Sequence, residues 1–339
     1  MTQPGHSGPT HCSVAPKVSV ILCGYNQVAY LNDAVASVLS QTYRNIELIV
    51  VDNGSTDGSQ AVARAHQDEP RVRLLLHERN DAITKRLNEA IALSSGEYVS
   101  VLYADDFYLP HKLERQVQEF SNLSPEFGVV YSPGYRIDAV SGRRWVEKSL
   151  KVSGFILKEM FVRQAEGFIN PISPLIRREC LIDYPFHEDL FIEGESIFWR
   201  IAMKYQFRYL DEPLSVMREH AGNRGKAIKL NAQMVLTLFE KLSREPEFPP
   251  ELLTDLDRFC GNCMGAFGWL GIRVAADPRW ARTCLMSAIR RQPKQLTRPR
   301  TLVGLALSTL PPRAVRTFNR VLNAVGDRKE TIAFREDYT

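Results

Sequence analysis

The sequence predicts an α/β fold: a mostly parallel sheet with helices on both faces, followed by a helical C-terminal region. Three observations carry that prediction. Short apolar, β-branched runs recur from Lys17, Asn45, Arg71 and Glu97, and runs that are apolar throughout mark strands buried on both faces. Segments with apolar residues at helical spacing separate them, which implies parallel pairing through right-handed crossovers. Beyond residue 226 the pattern is helical alone.

Taken in order, the first run ends in Gly24-Tyr25-Asn26, a loop signal. Over 31–42, Leu31, Ala34, Val35, Val38 and Leu39 share one helical face. The second strand, 45–52, runs into the polar turn 53–59, where Ser55 or Thr56 is placed to cap a helix ending near Ala65. A strand at 71–78, a helix at 84–93 and a strand at 97–103 complete this set. The pattern then loosens into a helix at 111–120, a strand from Gly128 to Tyr135, a helix at 153–165, a Pro-rich loop with a strand at 170–180 and a helix at 191–205. Amphipathic helices are expected at 228–243 and 251–270, and helix with breaks at Pro293, Pro299 and Pro311-Pro312 over 280–325. Residues 1–16 read as a flexible tail, 17–225 as one domain and 226–339 as a helical region, with the change near 222–228, where AGNRGK supplies glycines and polarity.

At 339 residues and 44% hydrophobic content the chain is too long for one small module and too apolar for disorder. No run of about 18 apolar residues occurs, so no spanning helix is expected. The N-terminal residues lack an apolar core, so no secretory leader is expected and the cytoplasm is the anticipated compartment. Cys260 and Cys263 form a lone C-x-x-C in an apolar, helix-like stretch; zinc takes about four ligands, and these two thiols read as core contacts. Net charge is uneven: residues 270–330 hold thirteen Lys/Arg against three Asp/Glu, which directs that part toward an anionic surface. No nucleic-acid motif accompanies the charge, so nucleic acid is not the expected partner. The apolar segment 301–310, edged by Arg298, Arg300, Arg313, Arg316 and Arg320, suits the headgroup region of an anionic membrane over 298–325. A packed helix with its arginines in solvent is the plainer account.

Ligands of open α/β sheets bind beyond the carboxyl ends of the strands. Three such ends carry polar groups here: Tyr25-Asn26, Asp52-Asn53 and Asp105-Asp106. Adjacent carboxylates repel one another and become favourable when a divalent cation sits between them and a phosphate; acids opening a helix are the bland alternative. Asp52 can accept from a base N–H or a ribose hydroxyl, or simply close an Asx turn.

Taken together, VSVILCGYNQVAYLNDAVASVLSQTYRNIELIVVDNGSTDGS and, at the expected distance, SSGEYVSVLYADD resemble the inverting family 2 glycosyltransferases with a GT-A fold, over roughly residues 17–225. The resemblance implies a nucleotide-diphospho-sugar donor, with uridine the family's commonest nucleotide, and a divalent metal, Mn2+ or Mg2+. It implies a glycan or lipid-linked acceptor of bacterial surface-polysaccharide type, at the inner face of the membrane. Gly24, Tyr25, Asn26, Asp52, Asn80, Lys85, Asn88, Ala104, Asp105 and Arg218 become donor contacts on this match. Asp105 and Asp106 correspond to the D-x-D region, with Tyr103 where a further Asp is frequent. Ala82 and Leu87 stand where Gly and Arg are usual, leaving Lys85 or Arg86 to supply positive charge. Glu195 matches the catalytic base, with Ser196 where Asp is usual; a register shift by two nominates Glu193 instead, and Asp189 is a third candidate. His220 matches the R-x-H-x-x-N stretch and becomes a metal ligand or a diphosphate contact, with Arg218 and Arg224 placed to pair with phosphate oxygens. Competing readings are a catalytically inactive GT-A-like binding protein and a sugar nucleotidyltransferase. The latter wants a Gly-rich, basic phosphate loop, which Cys23–Gln27 does not provide.

Overall fold

The computed structural model describes residues 15–325, except 192, 195, 221 and 224–227. The first half alternates as expected: β1 (Val18–Gly24), α1 (Leu31–Leu39), β2 (Ile46–Asp52), α2 (Ser59–Arg64), β3 (Val72–Leu76), α3 (Ile83–Leu93) and β4 (Tyr98–Tyr103). There follow β5 (Phe107–Tyr108), α4 (Lys112–Phe120), β6 (Phe127–Tyr131), β7 (Tyr135–Asp138), β8 (Arg144–Val146) and α5 (Leu157–Val162). Next come β9 (Leu175–Arg177), α6 (Arg178–Asp183), α7 (Ser196–Ile201), β10 (Gln206–Tyr209) and β11 (Ser215–Glu219). The C-terminal part is α8 (Ile228–Leu242), α9 (Leu253–Arg273), α10 (Pro278–Arg291), α11 (Pro299–Leu307) and α12 (Pro312–Val325).

The large sheet has seven strands in the order β10-β6-β9-β4-β1-β2-β3. All pairs are parallel except those made by β9, which runs antiparallel to β4 and β6. Alternate side chains of β1 enter two different cores: Val18, Val20 and Leu22 join α1, α2 and α4 on one face, and Ile21 and Cys23 join α3 and the later helices on the other. Burial on both faces is why the strands are apolar at most positions. A second sheet, β5-β11-β7-β8, stands beside the end of β4.

Four expectations change in detail, each for a local reason. The strand expected over 128–135 divides at Ser132-Pro133-Gly134, where proline removes a ladder donor and the chain passes from one sheet to the other. The helix expected over 153–165 shrinks to α5, because Gly154 and Phe207 exchange backbone hydrogen bonds of 2.8 and 2.9 Å. The helix expected from 191 starts at Ser196, after Gly194 at φ +56°. Neither Ser55 nor Thr56 caps α2; its N-cap is Gly58 at φ +98°, and Asp57 Oδ1 accepts from the Ser59 N–H at 3.0 Å. In the C-terminal region Pro278, Pro299 and Pro312 open helices, where a missing N–H costs nothing. Cys260 lies on the buried face of α9 and Cys263 accepts a 3.2 Å hydrogen bond from Gln164.

Candidate active site

The strand ends stand level. Gly24 pairs with Asp52 and Cys23 with Tyr103, so β1 separates the two acidic ends by two strand spacings, about 10 Å. The floor between them is built from small residues. A Cβ on Gly24 would lie 2.5 Å from the Ala104 Cβ, so this site tolerates only glycine against alanine.

Two loops are stitched together above β1 and β2. Asn26 takes φ +54°, a left-handed conformation that asparagine tolerates. Its N–H donates to Ser55 Oγ at 2.8 Å, and its Oδ1 accepts from the Thr56 N–H at 2.9 Å. Val28 N–H donates to Asp57 Oδ2 at 2.9 Å. Asp52 is buried, and its Oδ1 accepts from Ser55 N–H at 2.8 Å and Gln60 Nε2 at 2.9 Å. Asn53, also buried, donates to Asn80 Oδ1 and to the Asp81 carbonyl, and accepts from Arg86 Nε at 3.0 Å. The positive charge at this turn is therefore Arg86, while Lys85 forms an exposed 3.2 Å ion pair with Asp81. Asn88 faces away from these loops. It holds Phe186 at both backbone groups, accepting at 3.0 Å and donating at 2.9 Å.

The acidic pair occupies the turn after β4. Asp106 is 2% exposed, and its Oδ1 accepts from the Arg218 N–H at 2.8 Å. Burial, and then the neighbouring charge of Asp105, holds its carboxyl well above the usual range. Asp105 Oδ2 lies 3.1 Å from His220 Nε2. The Gly222 N–H donates to His220 Nδ1 at 3.2 Å, so the neutral ring carries its proton on Nε2, facing the carboxylate. Arg218 spans the back of this group: it donates to the Asp105 carbonyl at 2.9 Å and pairs with Asp33 at 2.8 Å. Its guanidinium lies over the rings of Phe107 and Tyr30, and Tyr30 also lies against His220 at 5.1 Å between centroids.

A carboxylate oxygen beside an imidazole nitrogen, with a second carboxylate behind, is a donor set that suits a divalent cation, provided that the His220 proton moves from Nε2 to Nδ1 and the Gly222 contact opens. The nitrogen favours manganese over magnesium. Among the described residues no three His, Cys, Asp or Glu side chains enclose an ion by themselves, so a cation here would complete its shell from diphosphate and water.

Sequence reasoning missed Tyr30, Asp33, Arg136, Glu147 and Glu219. Arg136 ion-pairs with Glu219, the neighbour of His220, and lies 3.4 Å from the buried Glu147 carboxylate; its charge also favours ionised Asp106. The available signal was the charge within β7 (Arg136, Asp138) and at the end of β11 (Arg218, Glu219), which is unusual for short half-buried strands.

The three base candidates have different fates. Glu193 is fully enclosed: it accepts from the His187 N–H at 2.6 Å and faces Arg200 at 3.5 Å, and burial raises its carboxyl. Asp189 pairs with Lys241 at 2.7 Å, which holds its carboxyl below the usual range. Glu195 and Arg224 lie outside the described residues. The 186–191 segment leading to Glu195 is fixed to α3, where Ile83 N–H donates to the Phe191 carbonyl at 2.9 Å and Thr84 Oγ1 to that of Leu190.

Comparison with known proteins bears on the family and the fold. The profile of Glycosyl transferase family 2 matches residues 19–184. An uncharacterized glycosyltransferase of Nostoc is 37% identical over 218 residues, covering 61% of this chain and 66% of that protein. Against two uncharacterized Rickettsia glycosyltransferases the match spans only 18% and 37% of their length. Among solved structures, residues 1–349 of S. aureus TarS in complex with UDP-GlcNAc align with TM-score 0.60 at 17% identity, covering 92% of each chain. The mannosyltransferase PcManGT of Pyrobaculum calidifontis, in complex with GDP-Man and Mn2+, aligns with TM-score 0.57 at 22% identity, covering 91% of this chain and 84% of that one. At such identities the likeness is one of fold. Motifs, profile and fold agree that the chain belongs to family 2 of the glycosyltransferases and carries the GT-A fold.

Proposed function

We propose that the chain is an inverting glycosyltransferase that moves a sugar from a nucleotide-diphospho-sugar, a UDP-sugar first, to the hydroxyl of a glycan or lipid-linked saccharide in bacterial surface-polysaccharide synthesis. Residues 17–225 would form the transferase domain and 226–339 a helical region that brings it to the inner face of the cytoplasmic membrane. The observation that carries the reading is the level alignment of the β1, β2 and β4 ends, with Asp52 and its stitched loops on one side and Asp105, Asp106 and His220 on the other.

In this reading the nucleoside rests against Tyr25, Asn26 and Asp52, while Asn80 and Arg86 border the same turn. Asp105 and His220 would hold a divalent cation, manganese before magnesium, whose charge would offset that of the departing diphosphate. Asp106 and Arg218 fix the turn from behind. The relatives' bound UDP-GlcNAc, and GDP-Man with Mn2+, belong to the same ligand class.

Glu195 accepts the proton of the acceptor hydroxyl, whose oxygen attacks the anomeric carbon opposite the leaving group, so a single displacement inverts that centre. Support comes from the other two carboxylates: Glu193 is sealed by Arg200 and the His187 N–H, and Asp189 is neutralised by Lys241. Glu195→Gln is expected to bind UDP normally and lose about 10²–10⁴-fold in turnover, measured as UDP release from a UDP-sugar panel with acceptor. Turnover at the wild-type rate would remove Glu195 from this role. Absence of transfer and hydrolysis by the wild-type protein across the panel would favour a binding protein.

A further inference from the structure

We propose that the outer faces of α10, α11 and α12 form a docking surface for an anionic lipid bilayer. Between Asp277 and Asp327 the chain carries ten Lys/Arg and no Asp or Glu. The three helices turn their inner faces to a shared cluster that includes Ala281, Leu307 and Val315, so their other sides look outward.

Those outer sides have a particular composition. On α10 the exposed residues Arg279, Arg282, Met286 and Arg290 follow one helical stripe. On α11 the side opposite buried Thr301, Gly304 and Leu307 is aliphatic: Leu302 is 50% exposed and Val303 43%. On α12, Arg313, Arg316 and Arg320 are exposed beside Val321, itself 57% exposed, while Val315 and Asn319 face inward. Among the described residues none of these α10 and α12 arginines pairs with a carboxylate, whereas Arg291 at the edge of the face reaches Asp257 at 2.5 Å. A merely solvated helical face mixes both signs of charge, which gives short-range pairing and solubility. Here one sign is absent over three consecutive helices.

The exposed aliphatics decide between anionic partners. Phosphate oxygens alone would be served by arginine, and nucleic-acid surfaces add stacking aromatics or groups that read base edges. Neither would use a leucine and a valine held outward between arginines. An interfacial helix uses both, with branched side chains below the headgroups and guanidinium groups among the phosphates. Among the described residues no helix is long and apolar enough to cross a membrane, so the contact is peripheral. The inference deepens the proposed function by placing the acceptor at a lipid surface. It rests on that reading for its purpose and not for its test.

The test is co-sedimentation of the full chain with vesicles of phosphatidylcholine alone, or with about a third phosphatidylglycerol, in parallel with a DNA duplex titration. Binding to the anionic vesicles is expected, with little to the neutral ones. Each arginine near such a surface contributes roughly fivefold in affinity, so Arg313→Glu with Arg316→Glu and Arg320→Glu should lower the anionic-vesicle affinity by more than about 100-fold. Leu302→Asn with Val303→Asn should weaken binding that persists at high salt. Donor turnover without vesicles is read separately and should be unchanged in both variants; its absence from the wild type would sink the enzymatic reading alone. Equal binding to neutral and anionic vesicles, undiminished binding by the charge variant, or binding to duplex DNA but not to vesicles would overturn the proposal.

Discussion

His220 is fixed at both ring nitrogens, by Gly222 N–H on one side and Asp105 on the other. That arrangement orients the ring before any cation arrives; a cation at Nε2 would replace its proton, which would pass to Nδ1 and release the Gly222 N–H. His220→Ala and Asp105→Ala are each expected to raise the manganese concentration needed for UDP binding by at least about 10–100-fold, followed by calorimetric titration at fixed UDP. Unaltered manganese dependence in both would remove them as ligands. A different residue governs pH dependence. Lys112 is wholly buried, donating to Ser100 and Gln116 at 2.9 Å with its ammonium over the Tyr108 ring. Burial lowers its pKa well below the ordinary lysine value. The unfolded chain therefore binds a proton that the folded chain resists, and the contribution of Lys112 to stability rises with pH through that interval, up to about 10.4, opposed at alkaline pH by buried thiols such as Cys180, whose pKa burial raises. Lys112→Met should flatten that rise, as measured by urea unfolding between neutral and alkaline pH; an identical slope would show that Lys112 is charged in the fold.

At the scale of elements, the contact of β1 with the turn after β4 sets the floor of the site. Gly24→Ala places a methyl against the Ala104 methyl and should cost about 1–3 kcal/mol in urea unfolding. Gly24→Ala with Ala104→Gly should recover most of it, whereas failure to recover would mean the glycine matters for its backbone alone. Asn88 illustrates a different element-scale role. Its clamp on Phe186 links α3 to the segment that leads to Glu195, so Asn88→Ala should lower kcat more than it raises KM for the donor. The alternation of buried runs and amphipathic helices was legible because each strand is enclosed by helices and each helix has one apolar stripe. The small sheet was not, since β5, β7, β8 and β11 have 2–5 residues each and are held by ion pairs such as Arg136 with Glu219. The helices expected over 153–165 and 191–205 are shorter, as α5 and α7, for a related reason: the backbone near each is engaged by distant partners, Phe207 for one and α3 for the other.

Across the whole molecule, the polar strand ends could be read from sequence because parallel connection forces β1, β2 and β4 to terminate on the same edge of the sheet. Their supporting groups could not, since Tyr30, Asp33 and Arg136 reach the acidic turn only through folding. The same contrast holds in the C-terminal part, where the charge run was plain in the sequence but its distribution over three outward faces was not. The measurement that bears most directly on the strand-end site is the thermal unfolding of the wild-type chain with UDP, with and without Mn2+. A ligand held at 100 times its Kd stabilises the fold by about 2.7 kcal/mol. UDP with Mn2+ should therefore raise Tm by several degrees, either component alone should have little effect, and Asp105→Ala should abolish the joint effect. An equal rise without Mn2+, or a full rise in Asp105→Ala, would contradict a cation-held diphosphate at these strand ends.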